Sequence, residues 1–340
     1  MNDLIERVLK GQRRAIARLI SLVENDAAAA QEAITKLYPR TGKTHIIGIT
    51  GPPGSGKSTL VNEITKLLRK RSQSVGIVAV DPSSPFTGGA FLGDRVRMMD
   101  LAGDDGLFIR SMASRGSLGG LARATGDVVK ILDAAGFDTV LVETVGAGQA
   151  EVDIASTAHT TLVIETPGMG DEIQSIKAGI LEIADILVVN KADRPNADRV
   201  VRALKGMLMM GKRTKSSAVV NHHGKLMDVE EDISEFSHSG DEWEVPVFET
   251  VATEGIGITP LVDCIDAHRE HLLESGEWAS REQIRCRKEL NQLLTQKLMT
   301  QLEYSVSQDE HNQLITSVAR REMDPYSAVD ELYRQVKDNG

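Results

Sequence analysis

The chain has 340 residues, more than one compact core usually holds, so a large domain with smaller appendages is expected. Its 41% hydrophobic and 26% charged residues exclude a disordered or fibrous chain, and 39 basic against 49 acidic side chains leave a net charge of -10. That balance argues against nucleic acid as a partner and leaves no polybasic membrane patch.

Cys264 and Cys286 are the only cysteines and do not form a CxxC pair, so neither a disulfide framework nor a thiolate metal site is indicated and a cytoplasmic location is expected. No apolar run approaches the roughly 20 residues that span a bilayer, and Asp3 and Glu6 near the start do not suit a secretory leader.

Leu4, Ile5, Val8 and Leu9, then Ile16, Leu19, Ile20 and Val23, recur at helical spacing, with Gly11 and Asn25 as interruptions. Two or three short helices are predicted for an N-terminal segment over residues 1–42. From His45 the pattern changes to short apolar runs at 45–50, 75–80, 137–143, 161–165 and 186–190. Runs that are apolar on consecutive residues suit strands covered on both faces. The stretches 57–71, 118–135, 172–183 and 199–210 between them have helical periodicity. Strands alternating with helices predict an α/β fold, a doubly wound and mostly parallel sheet. Residues 212–241 are polar and read as a surface excursion, after which a strand at 245–250 and a helix at 260–273 complete a domain over 43–273. In the remainder, 274–340, the stretches 282–304 and 308–336 are rich in Glu, Gln, Arg and Leu and predict a C-terminal helical hairpin or arm.

Gly51, Pro52, Pro53, Gly54, Ser55, Gly56, Lys57 and Ser58 match GxxxxGK[ST] between a strand and a helix, the context this phosphate-binding loop requires. Glycines let the backbone wrap a phosphate, and the amides at the new helix N-terminus point at it. Lys57 neutralises the outer phosphates, Ser58 supplies an oxygen to Mg²⁺, and Thr59 completes the nucleotide-binding run.

The loop does not distinguish ATP from GTP, but Asn190, Lys191, Ala192 and Asp193 at the end of a buried strand do. A carboxylate at Asp193 accepts hydrogen bonds from guanine N1 and N2, and adenine would leave it unpaired. Thr250, Val251 and Ala252, after the last strand, occupy the place where a backbone amide commonly meets the guanine oxygen.

Another strand ends in Glu143-Thr144-Val145-Gly146, which puts a carboxylate where it can act on Mg²⁺ and a glycine amide where a γ-phosphate can approach. Ala147 follows where Ras-like GTPases have a glutamine, so intrinsic hydrolysis should be slow. Asp81 ends a strand and Asp94 lies in a Gly-rich stretch. Metal binding and plain turn chemistry account equally well for those two acids.

Together these segments resemble the P-loop GTPases of the MeaB/ArgK/MMAA family, chaperones of adenosylcobalamin-dependent acyl-CoA mutases such as methylmalonyl-CoA mutase. The resemblance runs from about residue 10 to 300. It takes in Arg13 to Arg18, the phosphate loop, Asp81-Pro-Ser-Ser84, Gly119 to Ala122, Glu143 to Gln149, Gly170 to Gly179 and the guanine motif. It implies that Ser58, Asp81, Asp94 and Glu143 form the magnesium environment, with Arg97 near the nucleotide. Asp171, Gln174 and Lys177 would relay the nucleotide state to the mutase, and Lys57, Asp94, Glu143 and Lys177 would serve hydrolysis. Further implications are a homodimer held by the helical arm, adenosylcobalamin handled by the partner, and an adenosyltransferase as a further partner.

Three departures stand out: the length of the 212–241 excursion, Val251 in place of serine, and Pro85-Phe86 in the first switch. A nickel-inserting GTPase would leave a Cys/His set near the switch, and after the phosphate loop the next histidine is His159. A P-loop kinase has no need of Asp193.

Overall fold

The computed structural model describes residues 1–25, 27–82, 103–114, 120–144, 157–168, 182–217, 242–305 and 308–339. Strands β1 (His45–Thr50), β2 (Val75–Pro82), β3 (Leu107–Ser114), β4 (Thr139–Thr144), β5 (Thr160–Glu165), β6 (Ile186–Asn190) and β7 (Val247–Thr250) form one sheet. Their order is β3-β2-β4-β1-β5-β6-β7, and every pairing is parallel. The sheet is therefore the expected doubly wound one, parallel throughout its described strands. Helices in chain order are α1 (Asn2–Leu9), α2 (Arg13–Asn25), α3 (Ala27–Leu37), α4 (Lys57–Lys70), α5 (Gly120–Ala134), α6 (Ala197–Ser217), α7 (Ile258–Ser275), α8 (Glu277–Ser305), α9 (Gln308–Ala319) and α10 (Pro325–Asn339).

The consecutive apolar residues of the strands split between two faces, as the two-residue period of a strand requires. Ile47 and Ile49 of β1, Leu141 of β4, Leu162 and Ile164 of β5 and Ile186 and Val188 of β6 pack with Leu60, Ile64 and Leu68 of α4 and Leu261 and Ile265 of α7. On the other face Ile46, Val140 and Val142 meet Val128, Ile131 and Leu132 of α5 and the apolar stripe of α1 to α3, including Ile16, Leu19 and Ile20. Farther along that face Val163, Leu187 and Val189 pack with Val200, Val201 and Leu204 of α6. The N-terminal helices thus share the sheet's core. Asp133 accepts hydrogen bonds from the amides of Gly42, Lys43 and Thr44 as the chain enters β1, and Glu24 of α2 pairs with Arg110 of β3.

Residues 1–281 form one compact unit and 282–340 a second. In the second, Ala328 is buried, while Leu290, Leu294 and Leu298 of α8 and Tyr326, Val329 and Tyr333 of α10 are exposed. No helix among the described residues is long and apolar enough to cross a membrane.

Four elements differ from expectation. Strand β3 was not predicted, because Arg110, Ser111 and Ser114 interrupt its apolar residues and leave no continuous run. Helix α6 continues past Met210 to Ser217, since Lys212, Arg213 and Lys215 are good helix formers despite their polarity. Gly276, at φ 79, ends α7, so α8 starts at Glu277 rather than 282. The last stretch, expected over 308–336, is two helices, broken where Arg321 adopts φ 60 and restarted by Pro325 at the first helical position. The predicted helix over 172–183 and most of the 212–241 excursion lie outside the described residues.

Candidate functional site

In an open parallel sheet, ligands bind beyond the carboxyl ends of the strands. After β1 the chain turns through Gly51 (φ 140), Gly54 (φ 78) and Gly56 (φ 93) into α4. A Cβ at Gly51 would lie 2.1 Å from the Ile164 carbonyl oxygen of β5, and one at Gly56 would lie 2.4 Å from Asn190 Nδ2. Glycine at these two positions supplies both the left-handed backbone and the close approach to neighbouring strands.

The Ser55 amide donates to the Pro52 carbonyl at 3.2 Å and closes the turn over Pro53 and Gly54. The first helical hydrogen bond of α4 runs from Leu60 N to Gly56 O at 3.0 Å, so the amides of Ser58 and Thr59 precede the ladder at the end of the helix that favours an anion. Lys57 is buried, and its Nζ donates to the carbonyls of Gly51 at 2.8 Å and Pro52 at 2.9 Å. The ammonium thus lies within the concavity that the loop forms.

Ser58 Oγ donates to Glu143 Oε1 at 2.6 Å. Glu143 is buried near the end of β4, and Thr144 after it donates to Thr50 Oγ1 of β1 at 3.3 Å. A hydroxyl and a carboxylate in contact beside the phosphate loop are the hard oxygen donors that Mg²⁺ prefers, so the residues present fit that ion. Asp81 is the penultimate residue of β2, one residue beyond Val80, which pairs with Thr144, so its backbone reaches the same rim. The Asp81 side chain lies outside the described residues, as do Asp94, Arg97, Gly146, Asp171, Gln174 and Lys177.

The base-reading motif joins the phosphate loop through two side chains. Asn190, buried at the end of β6, donates from Nδ2 to Ser55 O at 2.9 Å. Its Oδ1 accepts from Thr250 Oγ1 at 3.1 Å and from the Ala252 amide at 3.2 Å. Lys191 adopts φ 58, and its Nζ donates to Gly54 O at 2.6 Å. Partial burial, followed by the nearby Arg194 charge, lowers the Lys191 pKa. Asp193 is exposed at the lip of this arrangement, two residues beyond Lys191. Val251 and Ala252 are buried, and the Ala252 amide, expected to meet the guanine oxygen, is engaged here by Asn190.

The sequence reading assigned Asn190 to guanine but missed its role as the tie among three loops. Thr250 was expected there with Val251 and Ala252, but the support its hydroxyl gives Asn190 was not.

The profile of the methylmalonyl-CoA mutase-associated GTPase family, MeaB, matches residues 16–307. This chain belongs to the MeaB family. The match includes the phosphate loop and the guanine motif and stops before α9 and α10. A protein of Pyrococcus abyssi, provisionally named a GTPase, is 47% identical over 340 residues, which is 100% of this chain and 98% of its own length. GTPase ArgK of Escherichia coli is 40% identical over 205 residues, 59% of this chain and 62% of its own. The mouse methylmalonic aciduria type A homolog, named as mitochondrial, is 31% identical over 297 residues, 83% of this chain and 66% of its own. A crystal structure described as an LAO/AO transport system kinase superposes with a TM-score of 0.68 at 24% identity, covering 99% of this chain and 97% of that one, which establishes the shared fold. The MeaB-family chain is thus a P-loop nucleotide-binding protein whose relatives are named GTPases.

Proposed function

We propose that this MeaB-family chain binds GTP with Mg²⁺, hydrolyses it slowly to GDP and phosphate, and uses the nucleotide state to gate adenosylcobalamin loading and protection of a cobalamin-dependent acyl-CoA mutase. The observation that carries the nucleotide part is the double tie of Asn190 to Ser55 O and Lys191 to Gly54 O, which fixes the base-reading loop against the phosphate loop. One nucleotide can then engage both. The loop amides and Lys57 hold the phosphates, with Lys57 exchanging its bonds to the Gly51 and Pro52 carbonyls for phosphate oxygens. Ser58 and Glu143, together with Asp81 and Asp94, would hold the Mg²⁺, which neutralises charge on the phosphates. Gly146 and Arg97 contact the nucleotide from the switch side, and Asp193 reads the guanine edge.

The mutase role rests on the family's association with methylmalonyl-CoA mutase and on the mouse relative's name. Asp171, Gln174 and Lys177 form the relay that stimulates hydrolysis when the mutase is bound, with an adenosyltransferase as a further partner. The helical arm holds a homodimer, a reading supported by the exposed Leu290, Leu294 and Leu298 of α8, which lie at helical spacing.

Phosphate release measured with GTP and with ATP, alone and with a methylmalonyl-CoA mutase, tests this. Expected are preference for GTP, a low basal rate, and stimulation by the mutase that Lys177→Ala removes while basal turnover stays. Equal binding of ATP and GTP by the unaltered protein would refute the guanine assignment. An unchanged rate with the mutase present would refute the chaperone assignment alone.

A further inference from the structure

Both tryptophans and half of the histidines gather at the amino ends of the strands, opposite the nucleotide site. Asp185, immediately before β6, is the centre of this cluster. Its amide donates to Thr161 O at 3.0 Å, and its Oδ2 accepts the Thr161 amide at 2.7 Å, closing a ring that sets the start of β6 against β5. Its carbonyl accepts from Trp243 Nε1, ahead of β7, at 2.9 Å. From α8, Arg281 closes on the carboxylate with both terminal nitrogens, at 3.0 and 2.8 Å, and donates to His159 O at 2.8 Å.

His268 of α7 faces Asp185 Oδ1 through Nε2 at 3.4 Å and Thr160 Oγ1 through Nδ1 at 2.8 Å, and Thr160 Oγ1 meets His45 Nε2 at 2.7 Å. Burial works against the Asp185 charge, but contacts with His268 and Arg281 outweigh it and hold the pKa down at about 2. The carboxylate is therefore ionised and nine-tenths buried, with Arg281 as its full countercharge.

We propose that Arg281 is a positioning residue for guanine recognition, acting through Asp185 on the strand that carries Asn190 to Asp193 at its other end. Strand β6 spans only Ile186 to Asn190, about 13 Å at strand rise, and β7 is shorter, so a shift at the Asp185 end reaches the base-reading end with little room to dissipate. The phosphate cradle belongs to β1 and α4, whereas among the described residues the hydrogen bonds of Asp185 run to β5, to Trp243 ahead of β7 and to α8. Without Arg281, Asp185 is a buried charge lacking its main countercharge, and the start of β6 relaxes toward solvent. Asp193 is then misaligned on the guanine edge, and whatever reaches the phosphate loop through Asn190 and Lys191 acts on GDP and inosine diphosphate alike. This proposal rests on Asp193 reading guanine, as set out above.

The test uses the full chain with Arg281→Met and measures Kd for GDP, for inosine diphosphate, which lacks the exocyclic amine, and for ADP. Preference for GDP over inosine diphosphate should fall about tenfold, and the same change should add nothing further in an Asp193→Asn background. A purely structural role for Arg281 would lower thermal stability and weaken both nucleotides equally, so a preference unchanged within twofold overturns the proposal. Should Arg281→Met fail to fold, Trp243→Phe, which removes one hydrogen bond to Asp185 and keeps the ring, decides it: a smaller fall in the same ratio is expected, and no fall overturns it. A wild-type protein that does not prefer GDP to ADP removes the guanine reading itself, an outcome distinct from an unaltered ratio in the variants.

Discussion

Asn190→Ala is the most direct perturbation of the candidate site. The side chain is 2% exposed and makes three hydrogen bonds, to Ser55 O, Thr250 Oγ1 and the Ala252 amide. Thr250 and Ala252 are buried as well, so the truncated residue leaves behind partners that water cannot easily reach. At about 1 kcal/mol net for each bond, the folded state should lose about 3 kcal/mol. Urea unfolding followed by circular dichroism measures this as a lower midpoint with an unchanged slope. The same bonds order the loops that grip phosphate and base, and binding must supply that order in the variant. GDP affinity should fall by up to roughly 100-fold for about 3 kcal/mol, measured by calorimetry. A stability loss below about 1 kcal/mol, together with an unaltered Kd, would refute the view that Asn190 ties the two loops together.

Ser55→Ala should raise stability by about 1 kcal/mol, because the buried Ser55 Oγ has no hydrogen-bond partner among the described residues; a loss of stability on urea unfolding would contradict this. Lys57→Ala should abolish nucleotide binding detectable by calorimetry while the protein still folds, and retained GDP affinity near wild type would contradict the phosphate role. Burial, and then the neighbouring His159, Arg269 and His268 charges, push the His45 pKa well below 6.5. The unfolded chain therefore binds the proton first, so stability should be complete above pH 6.5 and fall as the pH drops below it. His45→Asn should flatten that slope, and an equal slope in wild type and variant would refute the assignment. Asp185, held at about 2, follows the same sign in a lower pH window, since there too the unfolded chain binds the proton first. Its contribution should persist down to about pH 4 and be lost between there and pH 2, a loss that Asp185→Asn should remove from the acid unfolding curve.

Much of the nucleotide site was legible because its chemistry is local in the chain. The run from Gly51 to Ser58 specifies a turn, three left-handed glycines and a helix N-terminus within a few residues, and these are the conformations the structure adopts. The limits of β1 and β6 were legible for a related reason: both strands are covered on two faces, so β6 is apolar up to Asn190, β1 sets three isoleucines between His45 and Thr50, and the ends are abrupt. Where a segment mixes polar and apolar residues, local pattern failed. Strand β3 was invisible because Arg110 finds its partner in Glu24 of α2, 86 positions away, a compensation that no window around residue 110 contains.

Residue type and spacing by themselves determined the glycine turn into α4, the polar segment that ends β6 and the alternation of strands and helices, since each depends on backbone preferences and side-chain periodicity within a dozen residues. Tertiary structure alone decided that Asn190 and Lys191 close on the carbonyls of Ser55 and Gly54, 135 and 137 positions earlier, and that Arg281 reaches Asp185 across 96. The reason is physical: an isolated Asn, Lys or Asp is equally at home in water, and only the alignment of parallel strands, which brings their carboxyl ends to one edge and their amino ends to the other, makes these groups partners and excludes water from Asn190 and Asp185.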